Sequence, residues 1–284
     1  MKMHIKSRKT FFLLLLLAAS CVLLLHACDE TGDEIDYQPN VNSSKDFVRA
    51  EDALYDIVNA FLKGIYDSLI AQNNYAYIDY CGVTYDPDEN IMHFSYGAVN
   101  RMCQDGKFRR GDFFAEFDGP LFEPGVKANL ITDSLFVNDS LVFASMTFNN
   151  LGLNAMEKVQ YGLNVISLSV APRDSLSLRR IQITADLNLS WDQGSSTPEI
   201  HEDDYYLVTG TASGISSDFT DFSVMIEEPL VNYVDCCWII SGTNLITVPS
   251  ADIKQGMIDY LSDDGCNYEV HFYFNENFFY DHMN

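Results

Sequence analysis

Between Ile181 and Trp191 every second residue is apolar. Ile181, Ile183, Ala185, Leu187, Leu189 and Trp191 alternate without a slip against Gln182, Thr184, Asp186, Asn188 and Ser190. Strand side chains point to opposite faces in turn, so this stretch predicts a strand with one face buried and the other wet. The pattern recurs. Leu135-Phe136-Val137, then Asn138-Asp139, then Leu141 to Phe148 predicts a hairpin around a two-residue polar turn. Shorter strands are expected at Ile91 to Tyr96, Phe113 to Phe117, Val165 to Val170, Tyr205 to Thr211, Phe222 to Ile226, Trp238 to Val248, Met257 to Tyr260 and Glu269 to Phe274. Strand-turn-strand order with few helices implies a mainly β fold: antiparallel, sandwich-like sheets preceded by one amphipathic helix.

That helix is predicted near residues 47–70. Phe47, Ala50, Leu54, Ile57, Val58, Phe61, Ile65 and Leu69 recur at three-to-four spacing, with Asp46 placed to cap the start. Glu51, Asp52, Asp56 and Lys63 form its polar face. The polar, breaker-rich stretch from Asp192 to Asp204 is either a domain linker or a long hairpin loop. The expected organisation is a helix plus first β unit over residues 46–191, a linker or loop over 192–204 and a second β unit over 205–284.

The first residues speak to compartment. Lys2, Lys6, Arg8 and Lys9 precede an apolar run from Phe11 to Leu25, and no acid occurs before Asp29. This is the layout of a signal peptide over residues 1–27, with an apolar core shorter than the roughly 20 residues a membrane-spanning helix needs. Leu25-His26-Ala27-Cys28 resembles the bacterial lipobox, an aliphatic residue at minus three and a small one at minus one before the cysteine that is acylated. Cleavage before Cys28 is therefore expected. Cys21, after Ala18-Ala19-Ser20, is a second candidate, and an uncleaved anchor helix a third reading. Several acyl chains on Cys28, at about 0.8 kcal/mol per buried methylene, would hold the chain on a membrane. Asp29, Glu30, Asp33, Glu34 and Asp36 then lie in a stretch without hydrophobic period, an acidic flexible tether expected over residues 28–45. Acids directly behind a lipid cysteine resemble the export tag by which Bacteroidetes move lipoproteins to the cell surface. The expected location is the outer membrane, surface-exposed, with its periplasmic face as the alternative.

Charge narrows the partners. The chain carries 41 Asp and Glu against 17 Lys and Arg, and the signal peptide takes four of those bases and no acid. Nucleic acid is excluded as a partner, because phosphate binding needs a basic face. Besides the membrane held through the lipid, the expected partner is a glycan or a protein.

A short internal repeat links two regions. Tyr80-Cys81 is followed by a strand, Ile91 to Tyr96 and Cys103-Gln104-Asp105-Gly106; Asp235-Cys236-Cys237 is followed by a strand, Met257 to Tyr260 and Asp264-Gly265-Cys266. The first region contains Cys103-Gln104-Asp105-Gly106-Lys107-Phe108-Arg109-Arg110-Gly111, and the second Gly256-Met257-Ile258-Asp259-Tyr260 before Gly265-Cys266. On these two elements the chain resembles a family of Bacteroidetes surface lipoproteins that carry a Cys-x-Asp-Gly-x-x-Arg-x-Gly element and a later Gly-x-Ile-Asp-Tyr element ending in Gly-x-Cys. The second departs from the pattern, since Leu261 stands where glycine is expected and the cysteine follows Gly265 directly. The resemblance covers most of residues 75–275 and implies a β-rich surface lipoprotein. It implies no activity.

With Cys21 removed and Cys28 acylated, five cysteines remain, in a compartment that oxidises thiols. The repeat pairs Cys81 with Cys103 and Cys237 with Cys266, and leaves Cys236 as a small core residue. The spacings lack the close ligand pairs of zinc sites, and neither a metal nor a cofactor is expected.

Catalytic patterns are absent. His93, His201, His271 and His282 show no His-Glu-x-x-His spacing, and the chain has no Gly-x-Ser-x-Gly elbow, phosphate loop or dinucleotide fingerprint. Asp86-Pro87-Asp88-Glu89-Asn90 begins like a calcium loop, but Ile91 and Gly97 stand where glycine and a bidentate glutamate are needed, so a tight turn is predicted. Glu227-Glu228 and Asp263-Asp264 are acid pairs of the kind glycosidases use, in a chain rich enough in acids to produce them by chance. Tyr205-Tyr206 and Phe278-Phe279-Tyr280 are either sugar-stacking platforms or core. The expectation is a non-catalytic binding module at the cell surface. A fimbrial or other structural subunit and a secreted glycan hydrolase are the alternatives, the first disfavoured because Arg49, its basic processing site, lies in the predicted helix.

Overall fold

The structure is a computed structural model that describes residues 35–120, 123–171, 179–236, 238–261, 266 and 268–282. Expectations that fall on Cys28, the signal peptide, the tether before residue 35, Cys237 and Asp263-Asp264 lie outside the described residues.

Strands fill most of the chain after residue 74. They are β1 (Tyr75–Ile78), β2 (Cys81–Asp86), β3 (Ile91–Met102), β4 (Phe108–Phe117), β5 (Lys127–Val137), β6 (Ser140–Leu153), β7 (Val159–Ala171), β8 (Ile181–Gln193), β9 (Tyr205–Ile215), β10 (Asp221–Tyr233), β11 (Trp238–Thr247), β12 (Gln255–Tyr260), β13 (Glu269–Phe274) and β14 (Asn277–His282). All 14 lie in one antiparallel sheet in sequence order, each paired with the next. The mainly β, antiparallel expectation holds. The alternation in β8 holds as well: its apolar residues are buried and its polar partners face outward. Asn138 and Asp139 both have positive φ (47° and 64°), the geometry that lets a two-residue turn follow the twist of its strands. Asp192 to Asp204 is a hairpin loop rather than a linker, because β8 and β9 pair along their length on either side of it. Residues 37–284 accordingly form one unit.

Helix α1 spans Gln38–Tyr66, nine residues more at its start than the spacing of apolar residues implies. Pro39, whose missing N–H costs nothing in a first turn, lies at its start, and the Val41 N–H donates to the Tyr37 carbonyl at 3.0 Å. Asp46 is thus interior to the helix, where its carboxylate accepts from the Ser217 N–H at 2.7 Å. The helix ends before Leu69. Asp67 is extended and caps a short helix, α2 (Ser68–Asn73), accepting from the N–H groups of Leu69 and Ile70, so Leu69 swings out to solvent.

The layers arise from curling. A flat sheet of 14 strands at about 4.8 Å each would be roughly 65 Å wide, against about 10 Å for a helix with its side chains. Yet α1 touches β1 and β13 near the two ends of the sheet as well as β7 and β8 in the middle, so the sheet wraps around it. Phe61 shows the packing: its ring meets Phe94, Phe117 and Phe148 with centroids 6.5, 6.0 and 5.1 Å apart. Wrapping also buries what the sequence presents as the wet face. Glu51, Asp56 and Lys63 are all buried.

Candidate functional site

Burying helix charges requires partners, and the Cys103–Gly111 element supplies them. Lys107 and Arg109, two residues apart at the start of β4, both point inward. The Lys107 ammonium lies 2.6 Å from Asp52 and 2.9 Å from Asp56. The Arg109 guanidinium is bidentate twice. It donates through Nε and Nη2 to Asp56 at 2.9 and 2.8 Å, and through Nη1 and Nη2 to Asp105 at 2.9 and 2.5 Å. Burial would raise the Asp56 carboxyl, but Arg109 and Lys107 outweigh it and hold it down at about 2. Asp52, further from Arg109, is raised by burial against the pull of Lys107. Gly106 turns the β3–β4 hairpin at φ 81°. Gly111 sits at φ 92° where a Cβ would come 1.9 Å from the Ser134 carbonyl oxygen. Asp105, Gly106, Arg109 and Gly111 of the element thus each have a structural task, shaping the hairpin and clasping it to the helix.

Glu51 lies one helical turn before Tyr55 on α1. Burial pushes its carboxyl up to about 7, more than the hydrogen bond from the Tyr260 hydroxyl lowers it. Arg109, Asp56 and Glu51 are buried, whereas Asp52, Asp105 and Lys107 line a cavity of about 780 Å3. The Arg109 cluster ties β4 to α1, whereas the buried Glu51 carboxyl opposes folding as it ionises.

The cysteines depart from the expected pairing. Cys236, not Cys237, is bonded to Cys266, with Cα atoms 5.6 Å apart across the β11–β12 hairpin. The Cys236 N–H donates to the Tyr233 carbonyl, a turn that carries residue 236 out of strand alternation before β11 begins. The repeat therefore points to the right link but to the neighbour of the residue that makes it. Cys81 and Cys103 bracket the β2–β3 hairpin in the corresponding way but are free, buried thiols. Their sulfurs are directed at the carbonyls of Gly82 and Arg101, 3.8 Å away in each case, rather than at each other.

The remaining candidates separate. His93 stacks on Phe114 and lies 3.0 Å from Asp112; His201 lies 3.1 Å from Asp204, which also accepts from the Trp191 indole at 3.0 Å. Asp86 accepts from the N–H groups of Asp88 and Glu89, closing the expected tight turn between β2 and β3. Among the described residues no three His, Cys, Asp or Glu gather as a metal site, and no helix is long and apolar enough to cross a membrane. Tyr205 and Tyr206 point to opposite faces: Tyr206 is fully buried, whereas Tyr205 stacks on Tyr233 at 4.5 Å.

The C-terminal hairpin is different. Alternation along β14 sends Phe279 inward against the core and leaves Phe278 and Tyr280 on the outer face, 49% and 66% exposed. Their rings are 20° from parallel with centroids 6.1 Å apart. Across the register stand Tyr273, opposite Phe278, and His271, opposite Tyr280. The His271 ring meets Phe278 edge-on at 4.6 Å, and Tyr273 lies 5.5 Å from Phe278. Polar groups rim this apolar surface. The His271 Nε2 is 2.8 Å from Glu269, and Asp259 lies opposite His271 on β12. Burial raises the Asp259 carboxyl, His271 opposes that and Glu228 adds to it. Exposed rings cost hydration, so such a cluster on an otherwise strongly acidic chain is the candidate contact surface. No family model, curated protein or solved structure matches the chain.

Proposed function

We propose that the protein is a lipid-anchored, non-catalytic carbohydrate-binding module, held through Cys28 in the outer membrane and displayed at the cell surface. The observation that carries the reading is the pair of nearly parallel, solvent-facing rings of Phe278 and Tyr280. The C–H face of a pyranose is apolar and flat, and it covers such rings while its equatorial hydroxyls reach hydrogen-bonding groups at the rim. Asp259, Glu269 and His271 provide that rim. A hydrolase would need two carboxyl groups facing each other across a cleft; here the acids surround the rings on an open sheet face. The lipobox, the acidic stretch behind it and the resemblance to Bacteroidetes surface lipoproteins support the location.

The test is a glycan array probed with the chain from Asp29 onward, alongside a Phe278→Ala/Tyr280→Ala variant. Binding to a subset of neutral glycans that the double variant loses, with an unchanged circular dichroism spectrum, is the expected result. Glycan binding that survives the double variant would place the site elsewhere.

A further inference from the structure

The rings of the platform are the end of a longer feature. Beginning at Phe278 on β14, the cross-strand partner is Tyr273 on β13, then Met257 on β12 and Leu245 on β11. From Leu245 the same row runs through Met225 and Thr211 to Asp186 on β8. Over β7 to β12 this outer face is hollowed into a trough of about 650 Å3. Beside the first row runs a second, almost wholly of hydroxyls and an amide: Gln255, Thr247, Ser223, Ser213 and Thr184 are successive partners. Thr184 and Ser213 already exchange a hydrogen bond at 3.2 Å. Trough and platform lie on one face and in one register, with Met257 and Tyr273 between them.

We infer that the trough and the aromatic platform form one extended cleft for a linear, uncharged polysaccharide lying across the strands, with the rings binding one end of it. This rests on the carbohydrate-binding reading of the platform. The chemistry of the lining selects the ligand. Hydroxyl and amide side chains both donate and accept, which matches sugar hydroxyls of unfixed direction. The main-chain groups of β8 to β12 are spent on the sheet ladder, so an extended peptide would find no backbone partner there. Among the described residues no Lys or Arg lines the trough, while Asp186 within it and Asp259 and Glu269 at the platform carry the charge, so an anionic polymer is repelled. Length follows from register. Six strand steps from β14 to β8, at about 4.8 Å each, span roughly 29 Å, the reach of an extended chain of about five or six pyranose units.

The experiment uses the chain from Asp29 onward. Gels cast with soluble neutral polysaccharides (xylan, galactomannan, mixed-linkage glucan) find the one that retards the protein, and calorimetry then compares its trisaccharide with its hexasaccharide. Affinity about tenfold or more higher for the hexamer is expected, since a chain already held by the rings engages the trough at high effective concentration. Ser213→Tyr, an exposed position in mid-trough, should reduce the hexamer to trimer affinity and leave the trimer unchanged. Phe278→Ala/Tyr280→Ala should weaken both. Equal affinity for trimer and hexamer, with the ring variant still impaired, would overturn the extended cleft and leave the platform standing. No retardation by any polysaccharide would overturn both, as would a dimer seen by sedimentation that Ser213→Tyr dissociates, since the face would then seat a second copy of the chain.

Discussion

Arg109 illustrates how much chemistry one buried residue can settle. Four of its hydrogen bonds go to two carboxylates, one in its own hairpin and one on α1, a geometry that a lysine's point charge cannot reproduce. The Asp-Gly-x-x-Arg spacing is plain in the sequence, but its partner Asp56 lies 53 positions away on a helix whose polar face reads as solvated. A sequence shows which residues are charged and not which are enclosed. The same enclosure gives Glu51 a measurable signature. Its carboxyl, near 4.5 when the chain is unfolded, titrates at about 7 when folded. Because the folded state holds the proton more tightly, the protein is most stable below pH 4.5 with respect to this group, and stability falls as pH rises from there through 7. The difference is on the order of 3 kcal/mol. Urea denaturation at pH 5 and pH 7.5 should show that loss in the natural chain and little of it in Glu51→Gln. An equal loss in the variant would mean that other groups set the pH dependence.

At the scale of elements, strands were legible wherever one face is core and the other solvent, because alternation then follows directly from the pleat. This held for β8 and for the β5–β6 hairpin. The outer aromatic face blurred the signal at β14, where Asn277, Phe278, Phe279 and Tyr280 include three consecutive rings and only Phe279 packs inward. The helix start was obscured for the opposite reason. Asn40, Ser43 and Ser44 are polar yet buried against the wrapped sheet, so residues 38–45 read as tether. The cysteine bridge lies at this scale too: the repeat correctly placed a link across the β11–β12 hairpin, and the turn before β11 decided which of two adjacent residues makes it. Under non-reducing conditions, alkylation followed by peptide mapping should leave Cys266 protected in Cys237→Ala and exposed in Cys236→Ala. The reverse would show that the link uses Cys237. In the same experiment Cys81, whose thiol burial raises to about 12, should react only after unfolding. Closing a loop of 30 residues, the bond should stabilise by roughly 3 to 4 kcal/mol over the reduced chain.

At the scale of the whole molecule, nothing in the local patterns distinguishes two packed sheets from one sheet rolled around a helix, since both bury one face of every strand. The distinction comes from long-range contacts: Tyr66 of α1 meets Trp191, while Glu51, four turns earlier on α1, bonds to Tyr260, whose ring packs on Trp238. Trp191 on β8 and Trp238 on β11, the chain's two tryptophans, therefore fall on either side of the Asp192–Asp204 loop and report on the two β units that the sequence suggested. If α1 is the shared core of both, neither unit has a hydrophobic interior without it: Leu54, Tyr55, Ile57 and Phe61 are all at most 2% exposed, each contributing roughly 1.5 to 3 kcal/mol against a total stability of about 5 to 15 kcal/mol. Loss of either half should then expose the helix and unravel the other. Single-tryptophan variants, Trp191→Phe and Trp238→Phe, followed by fluorescence in urea, are expected to give each its own stability but, within each variant, a fluorescence midpoint that coincides with that from far-ultraviolet circular dichroism. A fluorescence transition well separated from the circular dichroism transition in either variant would mean that residues up to 191 and from 205 onward unfold as independent domains, and that the continuous β8–β9 pairing does not couple them.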